Sequence, residues 1–509
     1  MAVCPSRRPR QDICGLRGCC MPFVFGPYPG YEEVLALRQD PRQGLPSGGN
    51  TLKATFKSTC AMLFASMVLA SPALAKSMRD SVNQAVLTHP DVQAAWHAFR
   101  ASDEEQEAAR GGYRPRVDLS ASAGWERLGG SGYDGRDDHD YFRQGAYLTL
   151  SQMLYDGGLT RSQVKKFGAA KNAKYYDLRA SMEKIALLAF RSHDDVNRYR
   201  EMIRLAQQNL ERHEEIMKLV QARSRAGLES SANMEVVKGR LALARVNLLT
   251  EEGNLHDAST QYLRTVGEMP GEDLERGALE LKRPETPETA LNLGMKTSPR
   301  WNSVSQSVRS TLFALEEQKA KLRPRIDLRG GLNLENDTDG TKGRKDKAMI
   351  ELVIRYNLYN GGTDEATIRR FVELYKQSEE ILKETEREVA QALLVAYNDI
   401  DTIYKQLEHL EQHQKSAEAM EAAYRQQFAV GRRSLLDLLD AQNEAFQAKR
   451  AYVNALFGYE GAKASYLHEV GALISAYNIV REGVPTPEEL GLKVAEAKAG
   501  GKPDKAPKK

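Results

Sequence analysis

The chain is poor in the materials of a thick globular core. Aromatic residues make up only 7% of its 509 residues against 28% charged, and it is rich in Ala, Glu, Gln, Lys and Leu, the bias of long helices. All five cysteines (Cys4, Cys14, Cys19, Cys20, Cys60) lie before residue 61. The sequence beyond them can form neither a disulfide framework nor a Cys-based metal site. An excess of one charge is also missing: the formal net charge is +3, with Lys and Arg interspersed among Asp and Glu, which excludes the basic stripe of a nucleic-acid binder. The longest apolar stretch, from about Cys60 to Ala70, is too short to span a bilayer and runs into Pro72. There is no phosphate-binding glycine loop ahead of a lysine and no defensible nucleophile–base pair. His409 and His413 are spaced i, i+4 but lack a third metal ligand. A non-enzyme without metal or cofactor is expected, its energy supplied by a partner.

That short apolar stretch has a different use. In "KATFKSTCAMLFASMVLASPALA", lysines precede it and Ala73-Leu74-Ala75 follows, giving the charged, apolar and small-residue regions of a secretory signal. Residues 51–75 are therefore expected to be a signal peptide, cleaved between Ala75 and Lys76. Residues 1–50, rich in Pro, Gly and Arg, read as a disordered or mis-assigned extension. Cys60 sits within the apolar region, without the small-residue context of a lipid anchor.

Downstream, the sequence repeats itself. "RPRVDL" at 114–119 returns as "RPRIDL" at 323–328, and Pro90 returns as Pro299, both 209 positions later. "LYDGG" at 154–158 returns as "LYNGG" at 358–362, and Gly227 returns as Gly431, both 204 later. The chain is a tandem duplication, 76–270 and 271–478, followed by a Pro-, Ala- and Lys-rich segment, 479–509, that reads as disordered. The five-residue difference falls between the RPR and GG landmarks, as expected of an exposed loop.

Between Gly158 and Gly227, and between Gly362 and Gly431, proline is absent and apolar residues recur at helical spacing, as in Ile203, Ala206, Leu210, Met217 and Val220. Each stretch reads as a helix of about 65 residues, roughly 100 Å long. Such a helix requires a partner along its length, so a coiled coil is implied. Gly227 and Gly431 turn the backbone. Helices then return on the stripes Val237, Leu241, Ala244, Leu248 and Leu438, Ala441, Ala445, Ala448, Tyr452, Ala455. Pro90 and Pro299 mark the starts of shorter helices.

Between the landmarks the apolar period drops from 3.6 to 2. Val117, Leu119, Ala121, Ala123 and Trp125 alternate with polar residues, as do Ile326, Leu328, Leu332 and Leu334 in the second copy. Four strands are expected, at about 117–127, 144–154, 326–335 and 347–357, joined by the loops "GGSGYDGRDDHDYF" and "NDTDGTKGRKDK". Pro115, Pro324, Gly157, Gly158, Gly361 and Gly362 are the helix–strand junctions. Strand length and alternation match a transmembrane β-barrel. Four strands cannot close one and open edges are not tolerated in lipid, so the chain is expected to assemble. Three copies give twelve strands. A soluble periplasmic coiled-coil scaffold without a barrel is the alternative from another class.

The duplicated plan, "RPRVDLSASAG", "SQMLYDGG" and "YRQQFAVGRRSLLDLLDAQNEAFQAKRAYVNA" (424–455) together resemble the TolC-like outer-membrane exit ducts over roughly 78–475, most closely those of type I secretion. The resemblance implies a mainly α fold: long coiled-coil hairpins plus four transmembrane strands per protomer, completing a 12-stranded barrel and an α-helical tunnel as a homotrimer. It also implies docking on a periplasmic adaptor (membrane-fusion) protein and an inner-membrane ABC transporter, with passage of a protein substrate across periplasm and outer membrane. A duct serving a proton-driven drug pump is the alternative within transport. By motif match Asp437 and Asp440 form acidic rings at a periplasmic gate. Arg433 is the gate arginine, with Asn233 as its partner, and Phe428 stands where the family has a tyrosine. Ala226, Gly227, Leu228 and Val430, Gly431, Arg432 are the adaptor-binding tips.

Overall fold

The computed structural model describes residues 75–128, 139–281, 286–338 and 341–492. Residues 1–50, the signal segment up to residue 74 and most of the first inter-strand loop lie outside the described residues. The two repeats run in parallel order. The first has α1 (Met78–Thr88), α2 (Pro90–Arg110), β1 (Arg116–Leu128), β2 (His139–Tyr155), α3 (Leu159–Arg225) and α4 (Ser231–Val266). The second has α5 (Pro287–Thr297), α6 (Pro299–Ala320), β3 (Arg325–Thr338), β4 (Thr341–Arg355), α7 (Thr363–Ala429) and α8 (Leu435–Val470), followed by the single turn α9 (Leu473–Ala476).

Both long helices have 67 residues and both returning helices 36. At 1.5 Å per residue the long ones reach about 100 Å. Proline opens α2, α5 and α6, where its missing N–H would have no intrahelical partner. No helix among the described residues is long and apolar enough to cross a membrane.

The core is distributed along the helices in separate clusters. At the level of α1, Val82, Leu178, Ile185, Phe190, Tyr262 and Leu473 pack together. A buried polar relay crosses this cluster: the Ser81 hydroxyl lies 2.9 Å from both His193 Nδ1 and the Tyr262 hydroxyl, and His193 Nε2 lies 2.9 Å from the Glu275 carbonyl. The corresponding cluster of the second repeat centres on Val389, Leu393, Tyr397, Ile400 and Tyr466. A third sits at the far end, where Val220 and Val237 of the first hairpin meet Phe428, Leu435, Leu438 and Leu439 of the second.

The four strands make one antiparallel sheet in the order β1-β2-β3-β4. Leu119, Leu148, Leu332 and Ala348 form one row across it, and Ser120, Tyr147, Asn333 and Lys347 the next. With a side-chain period of two, this register keeps one face apolar over all four strands. Val117, Leu119, Trp125, Ile350, Leu352 and Ile354 of that face are all exposed. The outer edges of β1 and β4 have no partner strand among the described residues.

Two expectations are corrected. β2 begins at His139 rather than about 144, β3 ends at Thr338 rather than about 335 and β4 begins at Thr341 rather than about 347, so much of "NDTDGTKGRKDK" is ladder rather than loop. Cross-strand charge favours the extension: Glu335 stands opposite Lys345, and Arg127 lies 3.7 Å from Asp140 on the other hairpin. Residues 479–492, expected to be disordered, hold fixed positions. Ile479 enters the core, Arg481 lies 5.6 Å over the Trp96 ring and donates to Gln93 Oε1 at 2.7 Å. Proline- and glycine-rich composition excluded helix and strand there; one apolar anchor and one stacked arginine suffice to hold an irregular path.

Candidate functional site: the junctions and the helical tips

At the sheet end, each chain direction change is built from the RPR and GG landmarks. Pro115 and Pro324 precede β1 and β3. Asp156 caps α3, accepting from Gly158 N at 2.9 Å and Thr160 N at 2.6 Å. Burial works to raise the Asp156 pKa, but these bonds together hold it below the usual carboxylate value. Gly157 has φ +68°, and a Cβ there would lie 2.4 Å from Arg323 Cβ, so both conformation and space require glycine. Arg323 Nη1 donates to the Gly157 carbonyl at 2.8 Å. Gly361 and Gly362 have the same left-handed conformation, φ +59° and +80°, but nothing lies within 4 Å of a Cβ at either.

At the other end, both hairpins turn in the same way. Leu228 N donates to the Arg223 carbonyl at 2.9 Å and Gly227 N to Ser224 at 3.0 Å; Arg432 N donates to Gln427 at 2.8 Å and Gly431 N to Phe428 at 3.0 Å. These are Schellman closures, with glycine at φ +72° and +76°. A serine three residues on starts each return: Ser230 Oγ accepts from Asn233 N and Ser434 Oγ from Asp437 N, both at 3.2 Å. The second is a full capping box, because Asp437 Oδ2 also accepts from Ser434 N at 3.3 Å. Leu228 and Val430 project into solvent at the apices, with Ala226 and Arg432 exposed beside them.

Within one chain Arg433 does not meet Asn233, the partner that the resemblance implies. Its Nε donates to Gln427 Oε1 at 3.1 Å, its Nη1 lies 3.7 Å from Asp437, and its guanidinium stacks 4.2 Å from the Tyr424 ring. Asn233 instead donates to Glu229. The reason is local: residues 427 and 437 flank the same turn as Arg433, and Tyr424 supplies an aromatic face one helical turn before Phe428. The cross-hairpin tie is made by Arg223, a residue not foreseen. Its Nη1 donates to the Phe428 carbonyl at 3.2 Å, its guanidinium lies 4.9 Å from the Phe428 ring, and its Nε reaches Glu229 at 3.3 Å. Phe428 itself is fully buried. An arginine in the last turn of a helix was the available signal, since that is where cations meet free carbonyls.

Asp437 and Asp440 lie one helical turn apart and both are accessible. Asp440 Oδ1 stands 3.6 Å from Arg240 of α4, another contact between hairpins. At such exposure this pair contributes only about 0–1 kcal/mol. The tip thus presents two carboxylates, a buried aromatic seam and apolar apices on two matched turns.

The outer membrane efflux protein family model matches residues 81–268 and 298–463, the greater part of both repeats. Outer membrane efflux protein BepC of Brucella suis is 23% identical over 456 residues, covering 88% of this chain and 95% of its own. Alkaline protease secretion protein AprF of Pseudomonas aeruginosa is 22% identical, covering 81% and 87%. Among solved structures, the outer membrane protein VceC of Vibrio cholerae superposes with a TM-score of 0.70 at 15% identity, over 77% of this chain and 96% of its own. Both repeats, the open strand sheet and the paired helical hairpins are accounted for together: the chain belongs to the outer membrane efflux protein family, the TolC-like channel-tunnels of the outer membrane.

Proposed function

We propose that three copies of this chain form a channel-tunnel that passes a protein substrate across the periplasm and outer membrane as the exit duct of a type I secretion system. The observation that carries the assembly is the four-stranded sheet with an exposed apolar face and two open edges. In lipid each unpaired backbone group costs several kcal/mol, and closure requires about eight strands or more. Three copies supply twelve strands, and their long helices a tunnel of about 100 Å. Similarity to an alkaline protease secretion protein and the wording of residues 424–455 support protein export. Similarity to an efflux protein and to a pyoverdine export protein favours a second reading, the duct of a pump for small molecules.

In this reading the helical tips face the inner membrane. Leu228 and Val430 at the apices, with Ala226, Gly227, Gly431 and Arg432, dock the adaptor, which couples the duct to an ABC transporter, or to a proton-driven pump in the second reading. Asp437 and Asp440, repeated by three copies around a narrow entrance, focus a negative potential. Cleavage between Ala75 and Lys76 releases the exported chain.

Fractionation with outer membrane, heat-modifiable migration and a native mass of three chains test the assembly; recovery in the soluble periplasm refutes it in favour of a scaffold. A deletion strain that stops secreting a protein but keeps its drug resistance supports type I secretion. The reverse phenotype supports the pump.

A further inference from the structure

In the trimeric reading the polar face of the sheet lines the duct, and its charges do not cancel. The register places Asp118, Thr149, Gly331 and Met349 in one row of this face and Ser120, Tyr147, Asn333 and Lys347 in the next. Each acid in the regularly paired rows has a cation beside it. Asp118 meets Arg116 at 2.8 Å and Glu126 meets Arg143 at 3.4 Å. Glu335 stands opposite Lys345, and Glu351 opposite Arg329. Asp327, only 1% exposed, is shared by two arginines: Arg325 Nε lies 3.0 Å from one of its oxygens and Arg355 Nη1 3.7 Å from the other. Lys347 stands opposite Asn333, is exposed, and has no hydrogen bond or ion pair among the described residues. Seven cations thus face five anions across these rows, an excess of two positive charges per chain. The apolar face offers no compensation, because its charges at the outer end are matched as Arg127 with Asp140 and Arg344 with Asp346.

We propose that the barrel is an anion-selective section of the duct, in series with an acidic entrance at the helical tips, and that Lys347 supplies half of its excess charge. The proposal rests on the trimeric reading above and names the class of solute that the exit favours: small anions and the acidic stretches of a polypeptide. The magnitude is large enough to decide the sign. Twelve strands about 4.8 Å apart, tilted by about 40°, enclose a backbone cylinder of radius about 12 Å. Over an apolar band about 25 Å tall, six excess charges in that volume amount to a fixed charge of about 0.9 M. Electroneutrality requires a matching excess of mobile anions, which exceeds the bath concentration severalfold when the salt is about 0.1 M. The Debye length is then about 10 Å, so the wall is felt across most of the lumen; at about 1 M it is only about 3 Å, and the middle is screened. Asp437 and Asp440 carry the opposite sign at the entrance. Whichever section is narrower governs the current, so opening the entrance turns the duct from cation preference toward anion preference.

Planar bilayers read this directly. The full chain carrying Asp437→Asn and Asp440→Asn has no acidic rings, so its reversal potential in a potassium chloride gradient reports the barrel. Chloride is expected to permeate about threefold more readily than potassium, or better, near 0.1 M salt, and the preference is expected to shrink toward unity near 1 M. Lys347→Glu in this background balances cations against anions and is expected to abolish the preference; Lys347→Gln, the smaller change, lowers it partway. Poly-L-glutamate added on the barrel side is expected to block the current at about tenfold lower concentration than poly-L-lysine, a difference that Lys347→Glu erases. Cation preference or none in the protein with the neutralised entrance, or a preference that both Lys347 variants leave unchanged, overturns the anion-selective barrel. Equal block by the two polymers overturns its extension to polypeptides. These outcomes are read in protein whose native mass is three chains; a native mass of one chain, with no conductance, overturns the trimeric reading instead.

Discussion

Glu183 offers a pH test of how the helices are held together. It lies within α3, only 1% exposed, and its Oε2 accepts from Leu473 N at 3.1 Å and Ile474 N at 3.4 Å, fixing the start of α9. Its other oxygen has no hydrogen-bond partner among the described residues. Burial, opposed by the Arg179 charge and the two N–H donors, pushes its pKa from 4.5 up to about 8. The folded chain therefore retains a proton that the unfolded chain releases above pH 4.5. Stability contributed by this site is complete at lower pH, declines as pH rises from 4.5 to 8, and levels off beyond. At about 1.4 kcal/mol per pH unit, the ceiling on that decline is about 5 kcal/mol. Glu183→Gln keeps an acceptor oxygen for both N–H groups and abolishes the titration. The variant is expected to melt like the parent at pH 5 and clearly above it at pH 9, with circular dichroism in detergent as the readout. Asp194, which burial and then the charges of Asp195 and Glu460 push up to about 7, leaves part of the pH dependence in place in both proteins. Melting curves for parent and variant that shift in parallel between pH 5 and 9 would refute the assignment. Glu183→Ala, which strips the acceptor from two buried N–H groups, is expected to be less stable than Glu183→Gln at every pH by roughly 1–3 kcal/mol.

The tip and junction make further predictions. Asp437→Asn with Asp440→Asn removes charge while keeping an N3 acceptor for Ser434; in planar bilayers it is expected to reduce cation preference and relieve block by multivalent cations, and unchanged conductance would place these residues outside the pore. Arg223→Ala loses the bond to the Phe428 carbonyl and the ring contact, worth together about 2–3 kcal/mol; hydrogen exchange across 216–240 is expected to accelerate, only partly rescued by Arg223→Lys. Gly227→Ala bears the left-handed conformation alone, about 1–2 kcal/mol, whereas Gly157→Ala adds the collision with Arg323 and is expected to lower the melting temperature by more. Equal effects would remove the Arg323 contact from the account.

The long helices and the strand faces were legible because each obeys one period for many residues: Val220, Val237, Leu438 and Ala445 are buried where the helical stripe placed them, and Val117 and Ile354 point outward as alternation required. Side-chain partners at the tip were not legible. Arg433 has Gln427, Asp437 and Tyr424 all within reach, and nothing in the order of residues ranks three contacts of similar energy. Asp437 shows a second limit. Its charge was visible, but its capping-box bond to Ser434 depends on where the helix begins, which periodicity fixes only to within a few residues. The segment 479–492 had no period at all, and its position is set by distant Trp96 and Gln93.

Equal spans of 67 and 36 residues in the two hairpins restrict how such a chain can change length. One residue inserted into α3 would advance everything beyond it by about 1.5 Å and rotate it by about 100°, withdrawing Val220 and Arg223 from Phe428 at the far end. The outward hairpins carry no such penalty, and the two copies differ there by five residues while keeping their arms identical in length. Growth toward the cell exterior is thus free, whereas reach toward the inner membrane is quantised, adjustable only by matched insertions of whole heptads in both arms of both repeats.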